Sequence, residues 1–253
     1  MNSRNFITLF ILSCIANFTN AQVSGSGPVG IPVVGVHYGG AFSGGDLADR
    51  YGYFNRVGFT AGYKLKSNWS FGLESDFWFS ENVKLTGLFD HLLDANGNIT
   101  NDIGMPASVL VYPRGVHANG YIGRVFPLNE RNQNSGILVQ FGAGYMLHHL
   151  RIETNDNVVP VLELDYKKGY DRLTTGINTQ QFVGYSFLNN KGAYSFYVGL
   201  YFQQGFTHNR RTINFDQPDT PVSTALRLDL QTGFRLGWYI PFYSSEPRDF
   251  YYN

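Results

Sequence analysis

The stretch Leu226-Arg-Leu-Asp-Leu-Gln-Thr-Gly-Phe-Arg-Leu-Gly-Trp-Tyr-Ile-Pro-Phe242 alternates with a period of two. Leu226, Leu228, Leu230, Phe234, Leu236, Trp238, Ile240 and Phe242 share one parity, and Arg227, Asp229, Gln231, Gly233, Arg235 and Gly237 the other. Successive side chains of a strand point to opposite sides, so this is a strand with one apolar and one polar face. It runs for seventeen residues, about three times the roughly 5–6 of a typical soluble strand. A strand so long needs a wide apolar medium on one side and water or polar packing on the other. A membrane β-barrel supplies both, with lipid outside and a polar lumen inside.

Seven further segments repeat the pattern, so that eight lie near 31–43, 54–66, 69–80, 115–126, 137–152, 174–188, 193–208 and 224–242. In the second, Val57, Phe59, Ala61, Tyr63 and Leu65 oppose Arg56, Thr60, Lys64 and Lys66. In the third, Trp69, Phe71, Leu73, Phe77 and Phe79 oppose Ser70, Glu74, Asp76 and Ser80. In the fifth, Ile137, Val139, Phe141, Ala143, Tyr145 and Leu147 oppose Gln140, Gly142, Gly144 and His148. The sixth is weaker, since Ile177, Val183, Tyr185 and Phe187 share their face with Thr179 and Gln181. The fourth has two open registers, Val116/Ala118/Ile122 or Tyr121/Val125.

Connections alternate in length. Ser67-Asn68 and Asn189–Gly192 are tight turns, Pro127–Gly136 is a medium turn, and 44–53, 81–114, 153–173 and 209–223 are long. Short periplasmic turns alternating with long outer loops are the outer-membrane barrel pattern. The fold class expected is therefore all-β: an eight-stranded antiparallel up-and-down transmembrane β-barrel over 31–242, with both termini periplasmic. Lys84–Asp94 could make one helical turn in its loop. Val109–Tyr112 either extends the fourth strand or adds a strand and leads to ten. Tyr53, Phe54, Trp69, Phe79, Phe126, Phe187, Trp238 and Phe242, near strand ends, suit interfacial aromatic girdles.

Composition agrees. Only 15% of residues are charged, against about 25% in an ordinary soluble domain, while 16% are aromatic and 29 are Gly. Net charge is zero, which gives no reason to expect nucleic acid as a partner. Mean hydropathy is slightly negative, as it can be when only alternate residues meet lipid. A lipocalin-like barrel or a sandwich also alternates, but its outer face would carry more Lys and Glu.

Met1–Ala21 reads as a secretory signal peptide: Arg4 in the leading segment, a short apolar core from Phe6 to Ala16, and small residues before a cut at Gln22. A lipoprotein would instead be cut before Cys14. Cys14 is the only cysteine, so the mature chain is expected to have no disulfide and no thiol chemistry. Residues 22–30 form a lead-in to the barrel, and 243–253 a periplasmic tail.

Residues 235–242 resemble the β-signal that the barrel-assembly machinery reads on a last strand: Arg235 as the polar residue, Gly237 two on, then Ile240 and Phe242. With the Thr-Asn-Ala-Gln end of the signal peptide, the chain resembles a Bacteroidota-type small outer-membrane β-barrel protein of the OmpA/OmpX-like group. The resemblance rests on architecture and composition. It implies a non-enzymatic barrel, and partners in outer-membrane lipid, lipopolysaccharide and the barrel-assembly machinery during biogenesis.

Three groups of residues invite a functional reading. Arg56, Lys64, Glu74, Asp76, Arg227, Asp229 and Arg235 fall on the lumen parity, where opposite charges would pair and fill an eight-stranded barrel. His148, His149 and His208, near the outer strand ends with Asp156 and Asp165 in the adjoining loop, could serve a rim-located lipid A-modifying enzyme or protease. Asp94-Ala-Asn-Gly-Asn98 with Thr100 and Asp102 offers oxygen ligands, but Gly97 falls two positions too early for an EF-hand loop. Rim polarity and an ordinary loop turn account for the last two, and no catalytic residue, metal or cofactor is assigned. The tail is unusual in placing Phe250, Tyr251 and Tyr252 where a disordered tail would be polar, which suggests docking to a partner. The expected role is structural, or accessory to an envelope assembly for secretion, gliding or barrel insertion. A narrow channel or small-ligand barrel, with void left by Gly142, Gly144, Gly199 and Gly205, is the alternative.

Overall fold

The computed structural model describes residues 27–154, 158–189 and 194–242. Eight long strands carry the fold: β1 Ile31–Gly45, β2 Tyr53–Lys64, β3 Trp69–Phe79, β4 Leu110–Pro127, β5 Gly136–Glu153, β6 Thr174–Phe187, β7 Ser195–Asn209 and β8 Arg227–Pro241. Each pairs antiparallel with its sequence neighbours, and β1 pairs with β8, so the sheet closes into a ring. Closure leaves no exposed strand edge. The ten-stranded alternative is not realised: Leu110–Tyr112 extends β4, pairing with Arg151–Glu153 of β5. Among the described residues the one other ladder is Ile99–Thr100 with Pro106–Ala107, outside the ring.

The register sets the tilt. Followed from partner to partner, the ladder runs Gly45, Asp229, Gly205, Asn178, Gly144, Asn119, Glu74, Thr60 and back to β1 at Gly35. One circuit thus slips from position 45 to position 35. With a rise of about 3.3 Å per residue and strands about 4.8 Å apart, that slip tilts the strands by about 40°. The shortest strand, β3 with 11 residues, then spans roughly 27 Å along the barrel axis, close to the apolar band of about 25 Å on outer-membrane barrels.

Side chains alternate across the wall as the strand pleat dictates. Val36, Phe59, Leu73, Ile122, Phe141, Ile177, Leu200 and Trp238 point outward and are exposed. His37, Arg56, Glu74, Asp76, His117, Gln180, Gln203, Asp229 and Arg235 point inward and are buried. In β4 the outward set is Val116, Ala118 and Ile122, with Tyr121 and Val125 inside, which settles the open register. The girdle assignment needs one correction. Phe54 faces inward, fully buried, with its ring 4.7 Å from that of Trp78. It lies beside the long loops, where the lumen is closed by hydrophobic packing rather than by charge.

Trp78 also explains a glycine. It pairs with Gly115 on β4, and its indole lies over that residue so closely that a Cβ there would come within 1.9 Å of the ring. Tyr197 covers Gly237 of β8 in the same way. The narrow lumen holds its large rings by removing the side chain opposite.

The two ends of the barrel differ. At one end Ser67-Asn68 makes a tight turn, with Asn68 in the left-handed region at φ 63° and its side-chain amide donating to Gln133 O at 2.8 Å. At the other end the long loops fold into a cap. Short 3-10 turns at Asp46–Asp49, Asp90–Leu92, Pro160–Leu162 and Leu164–Gly169 support it, and Asp90–Leu92 falls inside the loop stretch where a helical turn was expected. Leu47, Tyr51, Leu88, Val159, Leu162 and Tyr170 form its buried core, continuous with Phe54 and Trp78 below.

Candidate functional site

Four strands bring charge to the middle of the lumen. Arg56 on β2 donates through Nε to Asp76 Oδ1 on β3 at 2.8 Å. His37 on β1 places Nε2 2.9 Å from the same oxygen. His117 on β4 places Nε2 3.0 Å from Asp76 Oδ2 and 2.9 Å from Arg56 Nη2. A guanidinium only donates and a carboxylate only accepts, so this ring nitrogen can satisfy one of them at a time.

A second centre reaches across the barrel. Arg235 on β8 donates to Glu74 Oε2 on β3 at 3.1 Å. Gln140 on β5 donates to the same oxygen at 3.0 Å, and Gln180 on β6 donates to Oε1. Tyr201 lies between the two centres, its ring centroid 3.9 Å from the Arg56 guanidinium and 5.0 Å from that of Arg235. Cation–π contact holds two like charges around one ring while each keeps its own carboxylate.

A third pair lies toward the cap. His148 Nε2 is 3.0 Å from Asp229 Oδ2, and its Nδ1 is 3.3 Å from the Tyr51 hydroxyl. Thr207 donates to Asp229 at 2.5 Å, and Arg227 reaches Asp229 Oδ1 at 3.3 Å and Asp46 O at 2.6 Å.

The lumen residues named from the sequence thus divide into separate groups. Arg56 with Asp76 and Arg235 with Glu74 fill the centre, while Arg227 with Asp229 lies near the cap. Lys64 needs a correction. Its Nζ donates to Val29 O at 3.2 Å and Asn134 Oδ1 at 2.8 Å, at the short-turn end. It stands too far along the barrel to join the carboxylates, and ties down the lead-in and the 127–136 turn instead. Sequence reasoning missed His37, His117, Gln140, Gln180 and Tyr201 as partners. Strand parity could have placed them inside, but not against these particular charges.

Glu74, Asp76 and His117 bring one ligand atom each within 4.8 Å of one another. As a cation site the set fits poorly, because Arg56 already sits on Asp76 and Arg235 on Glu74. The side chains of His37, Arg56, Asp76, His117, His148 and Asp229 are 0% exposed, so solvent does not reach this chemistry.

The rim histidines do not converge. His148 faces the lumen beneath Tyr51 and Trp78, whose rings lie 5.6 and 5.7 Å away. His208 lies on the outward parity of β7, with Nδ1 3.1 Å from Thr224 O. Asp165 pairs with Lys168 at 2.5 Å, and Asp156 lies outside the described residues. In the candidate calcium loop, Asp94 Oδ1 accepts from the backbone N–H of Asn96 and Asn98 at 2.8 and 2.9 Å. The carboxylate thus closes its own turn.

The cap is clamped between the loops that follow β5 and β7. Arg172 meets Asp216 at 2.5 Å, and Arg211 grips Asp171 through Nε at 2.9 Å and Nη2 at 2.5 Å. The hydrogen bonds it donates to Asp171 hold the Arg211 guanidinium pKa above its ordinary value. Tyr170 packs beside this clamp, stacked on His91 at 5.6 Å with its hydroxyl 2.8 Å from His91 Nε2, and burial raises its phenol pKa.

On β8, Arg235 and Gly237 face the lumen, whereas Ile240 and Phe242 face outward. The strand ends at Pro241, and the Phe242 N–H donates to Pro32 O at 3.1 Å. The signal-peptide segment and the tail residues Phe250, Tyr251 and Tyr252 lie outside the described residues.

No protein-family model matches the sequence, and no curated protein matches it. Solved structures with a similar ring are small outer-membrane barrels. Neisserial surface protein A (NspA) shares 13% identity at a TM-score of 0.42, over 83% of this chain and 97% of that one. Ail, the attachment invasion locus protein of Yersinia pestis, shares 7% at 0.38, over 83% and 99%. The N-terminal β-barrel domain of Pseudomonas aeruginosa OprF shares 8% at 0.36, over 84% and 100%. At these scores the likeness carries no functional inference, and the eight-stranded ring rests on the chain's own ladder.

Proposed function

We propose that this protein is an integral outer-membrane barrel without enzymatic activity that serves as a structural or accessory subunit of an envelope assembly, of the kind used in secretion, gliding or barrel insertion. The observation that supports this reading is the reversed distribution of polarity. Large apolar side chains cover the outside, with Leu73 68% and Phe42 66% exposed, while Arg56, Glu74, Asp76, Asp229 and Arg235 are buried inside. Water would penalise such a wall, and lipid stabilises it. On this reading the short-turn end, where β1 begins and β8 ends, is the periplasmic one and the capped end the outer one. Lipid and lipopolysaccharide are then the surroundings of the wall, and Arg235, Gly237, Ile240 and Phe242 the segment read during assembly.

A filled lumen leaves the wall, the cap and the two ends as surfaces that can meet a partner. Among them the aromatic tail, with Phe250, Tyr251 and Tyr252, is the handle for another envelope subunit. The test is a mild-detergent pull-down from native outer membranes, full-length chain against a chain ending after Phe242. Stoichiometric partners that vanish with the tail support the accessory role. A lone barrel in both cases, or unchanged partners, overturns it.

A further inference from the structure

Arg210 immediately follows β7, and its backbone N–H donates to Leu173 O at 2.9 Å, which carries the β6–β7 ladder one step past the strand. It has the outward parity of Phe202 and Phe206 and is exposed. Its side chain folds back down the wall. Nε donates to Thr175 Oγ1 at 2.6 Å, and Nη2 to the Tyr145 hydroxyl at 3.4 Å. The Tyr145 hydroxyl donates to the same Thr175 oxygen at 2.7 Å. Neighbouring Arg211 and Arg172 each take a carboxylate, whereas Arg210, among the described residues, has none.

A guanidinium carries five N–H donors in a planar fork. The two hydroxyls occupy its Nε–Nη2 edge. The Nη1–Nη2 edge keeps two parallel N–H bonds, the fork that grips two oxygens of a phosphate. The depth of this edge follows from the ladder. On β4 the outward cations Arg114 and Arg124 are separated by Val116, Ala118, Gly120 and Ile122 on the outward parity. They stand about 25 Å apart along the barrel axis, the height of an outer-membrane apolar band, so Arg114 marks its outer edge. The row through Arg114 and His149 continues at Leu173 and Arg210. It climbs about 3 Å per strand toward β7, which puts the Arg210 backbone about 9 Å above that edge. Folding down onto Tyr145 returns the guanidinium to it. Just below, Ile177 and Phe206 pair with each other, apolar and exposed.

We propose that Arg210, braced by Tyr145 and Thr175, binds the phosphate of a phosphorylated glycolipid in the outer leaflet. The Nη1–Nη2 edge takes two phosphate oxygens, and Ile177 and Phe206 take the acyl chains of the same molecule. A long cationic side chain ordinarily carries its charge away from apolar surface toward water. Arg210 carries its charge toward the apolar wall, where headgroup phosphates lie and a free anion has no apolar part to bury. The hydroxyls fix the guanidinium there without neutralising it, as a carboxylate would. The inference rests on the membrane reading above and names the lipid that meets this part of the wall.

The test uses the full chain purified from outer membranes in nonionic detergent, with intact-complex mass spectrometry counting bound lipid. The probes are diphosphoryl lipid A, its dephosphorylated form and inorganic phosphate. We expect at least fivefold tighter binding of the phosphorylated form, and that preference to be lost in Arg210→Gln. Arg131→Gln, an exposed charge in the 127–136 turn, should bind as the native chain does. Tyr145→Phe keeps the charge but removes one hydroxyl that holds it, and should lose at least twofold. It carries the test if Arg210→Gln fails to show the heat-modifiable shift. Equal binding of the two lipid forms, an undiminished preference in Arg210→Gln or Tyr145→Phe, or an equal loss in Arg131→Gln overturns the inference. Displacement by inorganic phosphate at the same concentration also overturns it, because the site would then serve a free anion. Chain absent from the outer-membrane fraction overturns the membrane reading itself, and so is told apart from these outcomes.

Discussion

Arg235 and Glu74 meet across the lumen at 3.1 Å, although their strands, β8 and β3, stand three places apart in the ring. Each is buried, and Glu74 is further held by Gln140 and Gln180. One carboxylate thus ties together β3, β5, β6 and β8, and the lumen is braced across its width.

Breaking that brace should be costly. Arg235→Ala leaves a buried carboxylate without its cation, and a loss of about 3–5 kcal/mol is expected. Adding Glu74→Gln removes the stranded charge, so the double variant should unfold later than Arg235→Ala alone. Urea or thermal unfolding of the four members of the cycle, followed by the heat-modifiable gel shift, reads the coupling directly. Additive losses would mean that the two residues do not act together.

Two glycines of β4 make an opposed pair. Gly115→Ala forces a Cβ into the Trp78 indole, and about 1–3 kcal/mol should be lost. At Gly120 the nearest atom to a Cβ is 4.0 Å away, so Gly120→Ala should be neutral or stabilise by up to about 1 kcal/mol. The same unfolding assay separates them. Equal losses would contradict the packing of Trp78.

The wall and the cap should respond differently to charge. Leu73→Arg, at the middle of β3, should cost about 2–4 kcal/mol in a bilayer. Ile103→Arg, 76% exposed in a loop, should stay within about 0.5 kcal/mol of the native protein. Folding yield into lipid vesicles measures both. A Leu73→Arg variant that folds as well as the native chain would argue against lipid at that wall.

The cap should open without the barrel. Replacing Asp171 and Asp216 by Ala removes both arginine clamps between the loops after β5 and β7. Protease should then cut within 158–173 or 210–226 several times faster, while the barrel keeps its heat-modifiable shift. Loss of that shift would show that the cap and barrel fold as one unit.

Much of this was legible because a barrel wall imposes a strict period of two. The alternation in 226–242 identified β8, and eight alternating segments with long and short connections in turn pointed to an even-numbered barrel of eight strands, with ten left open by Val109–Tyr112. The errors came where parity alone was asked to say what a side chain touches. Phe54 near a strand end suggested a girdle, but its even position in β2 turns it inward onto Trp78. Lys64 shares that inward parity with Arg56, yet sits eight residues further along the strand and binds Asn134.

Outside β4, whose parity stayed open, the sequence by itself determined which side of the wall each strand residue faces, because the pleat makes side-chain direction a matter of counting. It did not determine the register between strands, which fixes the height of every residue in the ring. The slip from Gly45 to Gly35 around one circuit is a property of all eight ladders together. That slip puts Glu74 opposite Arg235, and Asp76 between His37 and His117. Only the closed tertiary structure decides those meetings, because residues on non-adjacent strands share no local interaction until the ring shuts.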